Sequence, residues 1–193
     1  MDMRSSRRAA RIRLGAALFA LALLALPAHA DDADVRLRRD PDGAYEVQGQ
    51  FVVLASTGAV WSVLSDYEGI PTFVSSMRSS RVTGSRNDGV TLVEQVAVGG
   101  VFFVSKSARV TLEVRRKPER MDFSDVALAD FRAYDGSWET QEAAGGSLVS
   151  YHLRAAPRFP APGFLMRGIM RRGARDLLEQ VRAEILRRAR APL

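Results

Sequence analysis

The sequence predicts an α+β domain: about six to seven antiparallel strands, two short helices after the first, and one long C-terminal helix. Three observations carry this reading. Hydrophobic residues recur with period two between Met77 and Ala155, in segments separated by turn signals. Helical spacing is confined to a short stretch after Ser56 and to the end of the chain past Gly163. Strands gathered into one run with helices at its ends read as α+β, whereas regular alternation would read as a parallel α/β sheet.

Composition sets the outer limits. The chain has 193 residues, 47% hydrophobic and 26% charged, and so can bury a core without disulfide or metal staples. It has no cysteine, which excludes a thiol nucleophile, a thiolate zinc site and a redox pair. The formal charge of +6 is uneven: the first thirty residues hold five arginines and one aspartate. Removing them leaves 23 basic and 21 acidic residues, a net of +2, a weak surplus for a nucleic-acid partner. No nucleic-acid role is expected.

Residues 1–30 read as an export signal. Arg4, Arg7, Arg8, Arg11 and Arg13 precede an apolar run from Leu14 to Leu26, and Ala28 and Ala30 match an A-x-A cleavage pattern. The run of 13 residues falls short of the ~20 that span a bilayer. Cleavage after Ala30 would leave a periplasmic or secreted protein; retention would leave an anchor. The Arg7-Arg8 pair raises twin-arginine export, but its flanks match poorly.

The elements follow in order. Residues 31–44 are polar, with Asp40-Pro41-Asp42-Gly43 as a turn, and read as a short lead-in to a domain over 45–190. Tyr45 to Leu54 alternates as a first strand. Ser56 or Thr57 caps a helix through Val60 and Leu64, and Ile70 to Val74 suits a second helical turn. Strands are expected over Met77–Thr83, Val90–Val98, Phe102–Val114, Arg120–Leu128, Ala133–Glu142 and Leu148–Ala155. Asp88-Gly89 forms a hairpin tip, and Gly99-Gly100 and Gly145-Gly146 read as breaks or turns. In the final helix Met166, Met170, Ala174, Leu177, Val181 and Ile185 form one apolar stripe, opposite an arginine-rich face.

This order, with Val60-Trp61-Ser62-Val63-Leu64-Ser65-Asp66-Tyr67-Glu68-Gly69-Ile70-Pro71-Thr72-Phe73-Val74 and the following Ser75 to Val82, resembles the START-like superfamily. The likeness is to its polyketide cyclase/dehydrase and coenzyme-Q-binding (SRPBCC) branch and spans about Tyr45 to Arg188. The resemblance implies a helix-grip fold, a curved sheet around the C-terminal helix with a cavity between. It also implies a hydrophobic ligand such as a lipid, quinone or polyketide, and, for some members, cyclase activity.

Interior positions expected to line that cavity are Phe73, Val74, Val93, Phe103, Phe123, Trp138 and Tyr151, with Met166, Ile169 and Met170 from the helix. Methionine and aromatic side chains adapt to an apolar guest. Phe159 and Phe164, beside Arg167, Arg171, Arg172 and Arg175, form a candidate contact with an anionic membrane; the plainer reading is a solvated helix face.

Catalytic candidates are sparse. His152 is the sole histidine after residue 30, and Ser150-Tyr151-His152 forms no triad. Asp122, Asp125 and Asp130 lack the spacing of a calcium loop. Asp66 and Glu68, two apart at a helix end, do not face each other. No catalytic residue, metal or cofactor is therefore expected. The function read from the sequence is a binding protein for a hydrophobic small molecule. The rivals are a cyclase or hydrolase in the same cavity, using Gln95, Tyr151 or His152, and a protein-interaction module with a filled core.

Overall fold

The computed structural model describes residues 33–101 and 104–190, with backbone alone at 100, 101 and 104–106. The expected export signal and Phe103 lie outside the described residues. Strands β1 (Asp34–Arg39) and β2 (Tyr45–Val53) form a hairpin, followed by helices α1 (Thr57–Leu64) and α2 (Ile70–Phe73). A meander follows: β3 (Met77–Ser85), β4 (Val90–Val101), β5 (Val104–Arg116), β6 (Arg120–Asp125), β7 (Phe131–Ala143) and β8 (Gly146–Pro157). Helix α3 (Gly163–Arg190) closes the described chain. The strands form one antiparallel sheet in the order β1-β2-β8-β7-β6-β5-β4-β3. Helices α1 and α2 thus carry the chain from β2 to the opposite edge.

The sheet has eight strands rather than six or seven, because the polar lead-in contains β1, paired from Asp34↔Gln50 to Arg39↔Tyr45. An edge strand is covered on one side only, so Val35 and Leu37 suffice as its packed face while Asp34, Arg36 and Arg38 alternate outward. Asp40 shapes the turn by accepting the Ala44 N–H at 2.7 Å, and Gly43 supplies its φ of 84°. Gly99-Gly100 does not break β4, whose pairing to β5 continues through Gly100↔Ser105. Gly145 does form a turn, at φ 79°.

Ser56 caps α1 by accepting the Ala59 N–H at 3.2 Å, and the helix buries Val60, Trp61, Val63 and Leu64. Helix α3 lies across β2 with Leu178 fully buried, so close that a Cβ on Gly49 would sit 2.4 Å from Leu178 Cδ1. A side chain at position 49 would force the Leu178 side chain to shift. The buried α3 residues are Met166, Ala174, Leu178, Val181, Glu184 and Ile185. The expected stripe therefore has two parts. Leu178 and Ile185 pack into the core, while Met170 and Leu177 are only half-buried and, with Val181, face the cavity described below.

Polar contacts tie the α1–α2 segment to α3. Arg188 reaches Asp66 at 2.7 Å and Glu184 at 2.6 Å, and its guanidinium lies 5.8 Å from the Phe73 ring centroid. Gln180 accepts the Ser75 N–H at 2.7 Å and donates to Ser75 Oγ at 3.0 Å. Arg116 stacks over Trp61, 3.5 Å from the ring centroid. Asp66 also accepts the Gly69 N–H, and Glu68 accepts that of Val82 at 3.4 Å, so both acids are structural.

Candidate functional site

The bent sheet and α3 enclose two adjoining chambers. The inner one, about 110 Å³, lies beneath α1 and α2; the outer one, about 580 Å³, lies beneath the first half of α3 and the proline-rich segment before it. They share Tyr134, Tyr151 and Leu177 as common wall. None of the described residues lining either chamber is charged. The outer volume falls within the range of drug-sized ligand sites.

Why the interior stays open follows from side-chain size. Along α3 the positions over the outer chamber include Gly173 and Ala174, too small to reach the sheet. A Cβ on Gly173 would meet nothing within 4 Å. Pro160 and Pro162 stiffen the connection from β8 and hold it over the chamber's rim. Further along the helix, Leu178 and Ile185 fill the gap, while Val181 lines the inner chamber.

One wall of the site is aromatic. Trp138 and Tyr151 rings lie 4.5 Å apart, Phe123 and Tyr151 6.4 Å, and Phe131 and Tyr134 4.8 Å. The neighbouring strands approach closely here: a Cβ on Gly136 would sit 2.1 Å from the His152 carbonyl oxygen. Glycine at 136 leaves room for that approach. Burial pushes the Tyr134 phenol up to about 12, with the nearby Asp125 carboxylate adding to it. Burial likewise holds the Tyr151 phenol well above its usual range. Both are protonated hydrogen-bond donors at neutral pH.

The residues singled out in the sequence fall as follows. Phe73, Val74, Val93, Phe123 and Trp138 line the inner chamber, Met166, Ile169 and Met170 line the outer, and Tyr151 lines both. Phe159 also lines the outer chamber, and Phe164 is 78% exposed at the start of α3. Arg167, Arg171, Arg172 and Arg175 are exposed on the same helix. Sequence reasoning missed Tyr134 and Leu177, which touch both chambers. Tyr134 lies four residues before Trp138, and the period of two places it on the same strand face. Leu177 stands in the helical stripe but is not among the positions expected to line the cavity.

The sparse acids and the histidine have structural or outward positions. Along β8, Tyr151 and Leu153 point inward, so His152 faces outward, over shallow polar depressions that it shares with Arg120. Asp125 Oδ1 accepts the N–H of Thr111 and Ala127, Asp130 accepts that of Arg109, and Asp122 pairs with Lys117 and Arg120. Among the described residues, no three histidine, cysteine or acidic side chains are grouped to hold a metal.

Residues 53–182 match the family model described as polyketide cyclase/dehydrase and lipid transport. Solved structures share the fold. The Zhui aromatase/cyclase from Streptomyces sp. R1128 is 16% identical with a TM-score of 0.65, over 81% of this chain and 98% of its own. Human StAR-related lipid transfer protein 5 is 9% identical with a TM-score of 0.66, over 81% and 83%. A STAR-related lipid transfer protein from Xanthomonas axonopodis is 14% identical with a TM-score of 0.59, over 78% and 98%. No curated protein matches the sequence. With its two-chambered cavity between sheet and helix, and a family match covering most of the strands and much of α3, the chain belongs to the polyketide cyclase/dehydrase and lipid transport family.

Proposed function

We propose that the protein binds a hydrophobic small molecule, such as a lipid or quinone, in the two-chambered cavity and shields it from water. The observation that supports this most directly is the outer chamber of about 580 Å³, apolar and without a charged residue among its described lining. Each methylene buried there contributes about 0.8 kcal/mol, so apolar contact alone supplies the driving force. A filled-core interaction module does not fit an interior with this much open volume. A cyclase needs a general base or an acid–base pair converging on the substrate; the polar groups lining the chambers are phenols, an amide and a serine hydroxyl, while His152 faces away. Binding is therefore the better reading of the geometry. The arginine-led apolar segment ending in Ala28-His29-Ala30 supports export and a place of action in the periplasm or outside the cell.

Mass spectrometry of organic extracts of the gently purified mature protein tests this reading. A stoichiometric lipid, quinone or comparable apolar compound is expected. Extracts without one, together with no uptake of apolar probes by the folded protein, would overturn it.

The exposed Phe164 favours one addition. It projects beside the outer chamber's rim, with Arg167, Arg171, Arg172 and Arg175 following on the same helix. An apolar tip backed by cations suits contact with an anionic bilayer, where ligand could pass without crossing water. Co-sedimentation with vesicles containing anionic lipid should fall when the four arginines become glutamine. Unchanged sedimentation would remove the membrane role.

A further inference from the structure

The two chambers meet at Tyr134 and Tyr151, which line both. Of the neighbouring polar groups, Asp125 Oδ2 is buried without a hydrogen-bond partner, and others are engaged. Asp125 Oδ1 and Ser80 are engaged by neighbours, and Gln95, which lines the inner chamber, donates from its amide nitrogen to Ser80 Oγ at 3.1 Å. Neither phenol oxygen makes a hydrogen bond to a described residue, although Tyr151 is only 5% exposed and lies deep in the wall. Both phenols border the cavity, so an acceptor on a guest can meet donors that the protein leaves unused. The described lining offers no cation, so a carboxylate or phosphate placed here would lose its hydration without a counter-charge.

We propose, resting on the binding function above, that the cavity selects an uncharged ligand carrying a hydroxyl or carbonyl oxygen, which the phenols of Tyr134 and Tyr151 engage at the chamber junction. The apolar body of the ligand extends into the outer chamber, and its oxygen lies against the aromatic wall formed by Phe123, Trp138 and the two tyrosines. Both phenols act as donors, because burial keeps them protonated far above neutral pH. An alcohol, phenol or ketone satisfies them; a hydrocarbon leaves them unpaired, and an anion lacks compensation.

Three probes of one shape separate the possibilities: naphthalene, naphthol and naphthoate, titrated at neutral pH against the whole mature protein by quenching of Trp138 and Trp61 fluorescence. Naphthol is expected to bind three- to tenfold tighter than naphthalene, the span of one hydrogen bond to a neutral acceptor, and at least tenfold tighter than naphthoate. The Tyr134→Phe/Tyr151→Phe double variant should erase the preference for naphthol, and a preference that persists would overturn the proposal. A cooperative thermal melt by circular dichroism serves as the folding control. Equal binding of naphthol and naphthalene by the native protein would overturn the proposal and leave the cavity as a purely apolar site. Tightest binding of naphthoate would overturn it in favour of an anionic ligand. Failure of all three to bind would remove the binding function itself, and the proposal with it.

Discussion

Replacing Gly173 with leucine should stabilise the protein and weaken its ligand binding at once. Gly173 lies in the interior of α3 and lines the outer chamber, and a Cβ there meets no atom within 4 Å. No clash opposes the substitution. Exchanging glycine for leucine inside a helix contributes about 0.5–1 kcal/mol through backbone propensity, a rise in Tm of about 1–4 °C for a domain of this size. The new side chain occupies space a guest would fill. Displacing a leucine-sized portion of apolar ligand removes about 1.5–3 kcal/mol of burial, or roughly 10- to 100-fold in Kd. Thermal melts by circular dichroism and titration with naphthol read the two effects separately. A higher Tm with unchanged affinity would refute the reasoning, since ligand would then lie elsewhere. A lower Tm would show that the space beside Gly173 is filled in solution.

Other perturbations test the frame around the cavity. Gly49→Ala drives a methyl group against Leu178 Cδ1, 2.4 Å away, and should cost about 1–3 kcal/mol by overpacking; in a Leu178→Ala background the same change should cost almost nothing, and additivity in urea unfolding would argue against the contact. Glu184 is held down to about 2, from an ordinary 4.5, chiefly by its hydrogen bond to Arg187 and then by Arg188, against the opposing effect of burial. A depressed carboxyl stabilises the fold above its unfolded pKa and loses that contribution as pH falls through the folded one. Wild type should therefore lose up to about 3 kcal/mol between about pH 5 and pH 2 that Glu184→Gln does not lose, and parallel urea midpoints over that range would exclude the clamp. Gly136→Ala places its Cβ 2.1 Å from the His152 carbonyl oxygen and should disrupt the native β7–β8 pairing, read as loss of soluble, cooperatively melting protein; a normal melt would disprove the close approach. His152→Ala should leave probe binding unchanged, because the residue faces outward, and a tenfold loss would bring it back as a site residue.

Much of the sheet was legible because its interior strands alternate cleanly. Tyr45 to Val53 and the strands from β6 to β8 each place apolar groups on one face, and that period is visible without any partner. β1 was missed because an edge strand needs only two apolar residues on its covered face, and charge on the other face resembles a loop. The glycine pair at 99–100 was misread for a related reason. Glycine weakens a strand locally, but the register to β5 holds it in place.

In the helix, the spacing of Met166, Met170, Ala174, Leu177, Val181 and Ile185 was enough to declare an amphipathic face. It was not enough to say which of these touch protein and which touch empty space. That division follows from Gly49, more than a hundred positions away in the chain, whose missing side chain lets Leu178 seat itself and fixes the height of α3 over the sheet. The arginine Arg188 likewise looked like one of many on a solvated face, yet it closes a network with Asp66, Glu184 and the carbonyl of Ser62.

The sequence by itself determined the class of fold, the long closing helix, the likeness to an apolar-ligand family and some of the residues that line the interior. Those properties are written in local periodicity and in one motif-bearing segment. Only the tertiary structure decided that the interior divides into two chambers, that Tyr134 joins Tyr151 at their junction, and that His152 turns away from both. Cavity volume and the convergence of polar groups depend on how distant segments approach one another, and here that approach is set by glycines at 49 and 136, where the absence of a side chain leaves no pattern for a periodic reading to find.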